Sequence, residues 1–239
     1  MTSGAPDYLV VTGGRTPEKN ITYSQAFIPV AMFDDFETTV LKWIPSIGSV
    51  ALDSTAAAGG WGSPVMNGNS CLKITSTSGG SAQASRFGPL PEYLSSVGFS
   101  YYFWSKTFDD MKAQDKGISF FDCDLYTGTK HKRFHIWYNP STFDWFYENA
   151  AEDTMILLTN REMNSGSNHY IKLVVDFIND TASYVIIDGA KFDLNKAAIY
   201  SESDTQVAYL ECKILFYAAA GQSPILFIDD YKITYNEPT

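Results

Sequence analysis

Apolar and polar residues alternate with a period of two over most of this chain, the pattern of strands with one buried face. In Ser70–Thr77, Cys71, Lys73 and Thr75 fall on one face and Leu72 and Ile74 on the other. Gly117–Tyr126 ends by setting Phe121, Cys123 and Leu125 against Asp122, Asp124 and Tyr126. Arg133–Tyr138 sets Phe134, Ile136 and Tyr138 against His135 and Trp137, and Phe143–Tyr147 groups Phe143, Trp145 and Tyr147. Val97–Trp104 is aromatic and strand-forming throughout. Tyr170–Phe177 and Ala182–Ile187 flank Ile178-Asn179-Asp180-Thr181, a hairpin turn. With Val207–Ala218 and Ile225–Tyr235 the pattern predicts roughly ten strands. Helical spacing is confined to Leu90–Ser96 and Leu194–Tyr200, a turn or two each. Strands that do not alternate with long helices exclude a parallel α/β sheet. The expected fold class is all-β, a two-sheet antiparallel sandwich.

Residues 1–32 read differently. Tyr8–Val11 and Phe27–Val30 are short apolar runs around a turn-rich stretch, Gly13–Asn20. They predict an extended N-terminal arm, with the sandwich over residues 33–239. Ala51–Asn69 is rich in small residues and glycine and predicts a long loop at the rim.

Composition narrows the function. The net charge of −10 argues against a nucleic-acid partner and against docking on anionic lipid, both of which need clustered Lys and Arg. The one basic cluster, Lys130-His131-Lys132-Arg133, is expected to be a solvated hairpin turn. No run of apolar residues is long enough for a transmembrane helix. The first residues lack a basic stretch followed by an apolar one, so no secretory signal is expected. Cys71, Cys123 and Cys212 are far apart and without a C-x-x-C pair; they are expected to be buried free thiols, with one disulfide plus a free thiol as the alternative.

Four segments occur in an order that resembles the concanavalin A-like jelly rolls, including laminin-G-like and carbohydrate-binding-module-like domains. They are Phe33-Asp34-Asp35-Phe36-Glu37 with Trp43, Gly68–Ile74, the hairpin from His169–Asp176 to Ser183–Gly189, and Phe227-Ile228-Asp229-Asp230-Tyr231-Lys232-Ile233. The resemblance covers about residues 33–236 and implies a jelly-roll sandwich whose first and last strands pair. It further implies that Asp34, Asp35 and Glu37 approach Asp229 and Asp230. Asp35, Glu37 and Asp229 are then the candidates for a structural calcium, which takes six to eight oxygens; no other cofactor is required.

Glycosidases of this fold resemblance often carry two carboxylates on one strand as E-x-D-x-E, and no such string is present. Asp122 and Asp124 share a face but are expected to be solvent-side residues of a strand. His131 and His135 would lie about 13 Å apart on a strand, too far for one zinc ion. The nucleophile elbow, phosphate loop and dinucleotide fingerprint are all missing. Sugar binding needs exposed rings that stack on pyranose faces. Trp61, in a glycine-rich loop, is the foremost candidate; Trp137, Trp145 and Tyr147 would form a platform if their faces point outward.

The residues therefore predict a non-enzymatic contact module. The composition is that of exported sandwiches without an export signal, which fits a protein made in the cytoplasm and released by lysis. The expectation is a structural or attachment module on a bacteriophage particle, as a capsid decoration or tail-associated protein. Its arm would grip other virion subunits in a homo-oligomer or larger assembly, and its outer face would meet cell-surface glycan. A secreted, extracellular carbohydrate-binding module or a divergent glycoside hydrolase or lyase is the alternative.

Overall fold

The computed structural model describes residues 30–37, 40–54, 64–66, 68–88, 96–111 and 117–238. Sixteen strands lie among them. In chain order the first eight are β1 (Val30–Asp34), β2 (Ile44–Ile47), β3 (Ser49–Asp53), β4 (Cys71–Thr75), β5 (Ser81–Gly88), β6 (Ser96–Trp104), β7 (Ile118–Tyr126) and β8 (Lys130–Asn139). The rest are β9 (Asp144–Glu148), β10 (Thr154–Leu158), β11 (Asn168–Asp176), β12 (Thr181–Ile187), β13 (Ala190–Ala198), β14 (Tyr200–Ser203), β15 (Tyr209–Tyr217) and β16 (Ile225–Tyr235).

They form two antiparallel sheets of eight strands. The first runs β13-β12-β11-β6-β16-β4-β3, with β1 on β16. The second runs β10-β9-β8-β7-β15-β5-β2, with β14 on β8. The chain crosses repeatedly between the sheets, so that β15 pairs β5 and β7 in the second sheet while β16 pairs β4 and β6 in the first. The inward faces meet in one aromatic core. Trp43 sits edge-on to Tyr231 (5.0 Å, 78°), Tyr101 edge-on to Phe121 (5.1 Å), and Phe120 stacks on Trp145 (5.3 Å, 22°). Phe120 and Phe121 both point inward because β7 bulges there: the register slips between Ser119 and Phe121 against β8, and between Lys213 and Leu215 on β15. Phe36 and Trp43, from the opening segment, are core residues, and β1 does pair with the last strand.

The two-layer antiparallel expectation holds, and some boundaries move. Leu194–Tyr200 is not helical. It spans the end of β13 and the start of β14, and its local irregularity is a bulge at Asn195 and Lys196 (φ 50° and 56°), where the register with β12 slips. Residues 90–95 of the other expected helical turn lie outside the described residues, as do Trp61 and the arm up to residue 29; Val30–Met32 already belong to the sheet. Ala51–Asp53 are strand, not loop.

Lys130–Arg133 is no solvated turn. Lys132 is buried, and its Nζ meets the Phe177 carbonyl and Asp180. Arg133 pairs with Glu148 (3.1 Å) and Glu152 (2.7 Å). The three cysteines are free and buried.

Candidate functional site

Two regions concentrate chemistry. The first is a cleft of about 400 Å³ at one end of the first sheet. In β6 the alternation sends Phe99, Tyr101 and Phe103 into the core and turns Tyr102 and Trp104 outward. In β16 it sends Leu226 and Ile228 inward and turns Phe227 outward. Trp104 and Phe227 are cross-strand neighbours and meet edge to face at 5.5 Å. With Val65, Cys71 and Ile225 they form an apolar cluster separate from the core.

This floor is fixed from below and at its rim. Lys73 lies 5.9 Å from the Phe227 ring and pairs with Asp53 at 3.2 Å. The Cys71 thiol donates to the Asp53 carbonyl at 3.7 Å, and burial, reinforced by the charge of Asp229, pushes that thiol up to about 12. Ser105 donates its hydroxyl proton to the Ile225 carbonyl at 3.0 Å, and the Asp110 backbone N–H donates to Thr107 Oγ1 at 3.3 Å. The cleft is thus apolar at its floor, with Asp53, Lys106, Thr107, Asp110 and Ser223 at its edges. Asp53 and Pro64, which bound the segment carrying Trp61, both line it.

The second region is the outer face of the second sheet. Here β8 presents His131, Arg133, His135 and Trp137, β7 presents Ser119, Asp122 and Asp124, and β15 presents Glu211 and Lys213. The expected solvent-side Asp122 and Asp124 do face outward, but Asp124 is 1% exposed. Both bond Lys213. Burial alone would lower the Lys213 ammonium; the two carboxylates instead hold it well above its usual value.

On the same face Ser119 Oγ and His135 Nε2 share a hydrogen bond at 2.7 Å, and His135 Nδ1 lies 3.6 Å from Glu148. The order hydroxyl–imidazole–carboxylate is that of a nucleophilic triad. Ser119 is, however, only 1% exposed, and the three side chains form a buried polar network in this structure.

The predicted site residues are not brought together. Trp137 and Trp145 point to opposite faces of the second sheet. Trp137 faces out but is 2% exposed, stacked on Phe146 (5.6 Å) and against His135 (4.8 Å). Trp145 is wholly buried between Phe120 and Tyr138, and Tyr147 packs inward beside Phe134. These three rings form no shared platform, because adjacent paired strands put Trp145 and Trp137 on opposite sides of the pleat.

Nor do Asp35, Glu37 and Asp229 converge into a calcium shell. Among the described residues one group of three ligating side chains lies within 4.8 Å of one another, and it is elsewhere. Their oxygens accept backbone N–H groups instead. Glu37 takes those of Asn69 (2.7 Å) and Ser70 (2.8 Å), Asp229 those of Met66 (2.7 Å) and Asp230 (2.8 Å), and Asp35 that of Glu37 (3.2 Å). The residues do not fit that ion.

No family model matches the sequence, and no curated protein matches it. Solved structures do match. A carbohydrate esterase from the Shiga toxin-encoding bacteriophage phi24B superposes with a TM-score of 0.55 over 88% of this chain and 100% of its own, at 16% identity. Domain 4 of an extracellular arabinanase from Geobacillus stearothermophilus, solved with arabinotriose, gives 0.48 over 89% and 95% at 10% identity. Peanut lectin gives 0.43 over 82% and 98% at 12% identity. The fold is a two-sheet antiparallel jelly-roll sandwich, shared with the phage esterase.

The jelly roll carries its cleft on residues that the sequence reading passed over. Trp104 and Phe227 sit in segments read only as strands. The outward parity of a lone ring among inward Phe99, Tyr101 and Phe103, or between Leu226 and Ile228, was the signal available for them.

Proposed function

We propose that this jelly roll is a carbohydrate-binding attachment module and that the sugar lies in the Trp104 cleft. One observation carries the reading: an outward Trp–Phe pair floors a cavity of saccharide size whose rim supplies hydroxyl, carboxylate and ammonium groups. The cleft is lined by one ammonium, Lys106, and two carboxylates, Asp110 and Asp53, the latter paired with Lys73, and the chain's net charge is −10. An uncharged glycan suits both facts better than a polyanion.

The narrower part of the proposal places the module on a bacteriophage particle, where it would contact host-surface glycan. A phage carbohydrate esterase with the same fold supports that setting. The burial of Ser119 supports a binding role over ester hydrolysis. Glycan-array screening of the full chain tests the first part: the account expects neutral oligosaccharide hits that disappear in Trp104→Ala. Labelling of purified particles with an antibody to the chain tests the second, and particles without label would remove it.

A further inference from the structure

His131 stands between two acidic groups. Its Nε2 lies 2.6 Å from Asp124 Oδ1, and its Nδ1 lies 3.2 Å from Glu202 Oε1. A neutral imidazole has one N–H to donate, and ionised carboxylates only accept. Asp124 is 1% exposed and also bonded to Lys213, so Nε2–H is held toward it. Nδ1 then faces the Glu202 carboxylate, and the place between them is filled either by a second ring proton or by a cation that Nδ1 and the carboxylate ligate together.

Asp204 completes the group: ligand atoms of His131, Glu202 and Asp204 all lie within 4.8 Å of one another. The ring cannot swing away. It is stacked on Tyr126 (4.4 Å, 2°) and met edge-on by Tyr200 (5.9 Å, 67°). The loop is tied down as well, since the Asp204 N–H donates to the Thr129 carbonyl at 3.0 Å and Asp204 Oδ1 accepts the Gln206 N–H at 2.8 Å. Of the side-chain cations nearby, Lys213 is matched by Asp122 and Asp124 and Arg133 by Glu148 and Glu152, while Lys130, the register partner of Ser203, is exposed to solvent.

We propose that His131, Glu202 and Asp204 bind a divalent transition metal, with zinc as the fitting ion. One imidazole and two carboxylates suit zinc better than calcium, which takes oxygen ligands alone. Asp124 is the outer carboxylate that fixes the tautomer and orients the ring. Tetrahedral ligands at zinc distances sit about 3.4 Å apart, so the widest separation must close by up to about 1.4 Å, with Glu202, half exposed, leaving its hydrogen bond to Tyr200. The fourth position is open to water or to an oxygen of a bound molecule.

The test is calorimetric titration of the metal-stripped full chain with zinc chloride and, separately, calcium chloride. One zinc ion is expected to bind, at least tenfold more weakly in Glu202→Gln and in Asp204→Asn, and not at this site in His131→Ala. Because His131 is nearly buried, the two surface carboxylate variants keep the test valid if His131→Ala unfolds. Zinc binding unchanged in both carboxylate variants, no zinc binding in the wild type, or tighter binding of calcium than zinc would each overturn the proposal.

Discussion

Cys123 and Cys212 face each other across the β7–β15 pair with their sulfur atoms 3.5 Å apart. Both are wholly buried, and burial, reinforced by the neighbouring Cys212, pushes the Cys123 thiol far above its usual value. The thiolate is the reactive form, so the Cys123 thiol is held unreactive, and Cys212 is shielded from solvent by its burial. A thiol-specific chromogenic reagent is expected to find essentially no reactive cysteine in the native chain near pH 8, and three after denaturation. Rapid native labelling would contradict the packing described for this layer.

The segment around Gly68 is clasped by Glu37 and by Asp229. Asp229 is almost fully buried, so Asp229→Ala strands the Met66 and Asp230 N–H groups and should cost about 2–3 kcal/mol. Glu37 is exposed, and Glu37→Gln should cost about 1 kcal/mol or less. At Gly68 φ is +76° and an added Cβ would lie 2.2 Å from Glu37 Oε1, so Gly68→Ala should also destabilise. Urea denaturation measures all three. Equal stability of Asp229→Ala and wild type would remove the clasp.

His169 and Asp188 form a partly buried ion pair at 2.8 Å. Burial alone would lower the imidazole, but the Asp188 hydrogen bond and the Asn164 carbonyl carry it above its usual value. Burial alone would raise Asp188, and its bond to His169 carries it below. A raised folded histidine gives stability that is complete below its unfolded value, about 6.5, and is lost as pH rises through the higher folded value. A lowered folded aspartate gives stability present above its unfolded value, about 3.9, and lost as pH falls through the lower folded value. The pair therefore contributes most between these limits. Denaturation free energy should decline as pH rises above about 6.5, and His169→Gln should flatten that decline.

Ser119, His135 and Glu148 provide a direct check on the non-enzymatic reading. With the hydroxyl buried, hydrolysis of a chromogenic acetyl ester should be the same in wild type and Ser119→Ala. The variant should lose about 1 kcal/mol of stability from the broken bond to His135. Turnover that vanishes in Ser119→Ala would show that the face opens and that the network is a triad.

The sandwich was legible because side-chain alternation is a local property. Phe134, Ile136 and Tyr138 against His135 and Trp137 is an assignment that the structure keeps. What alternation cannot supply is which parity faces the core in each strand and what covers the other. Trp145 and Trp137 therefore looked like partners in one platform while belonging to opposite faces. Asp124 looked solvated because Lys213, its half-buried partner, is 89 residues away. His131 and Glu202, 71 residues apart, meet only because β14 pairs with the start of β8. The Leu194–Tyr200 periodicity misled because a bulge repeats side chains on one face much as a helical turn does.

The central claim is that an uncharged glycan rests on Trp104. It is tested most directly by titrating a neutral oligosaccharide from the array into wild type and Trp104→Ala while following heat release, with circular dichroism showing that both chains are folded. The account predicts measurable binding by the wild type and a loss of at least tenfold in the variant, with Trp137→Phe binding as the wild type does. Undiminished affinity in Trp104→Ala would contradict it.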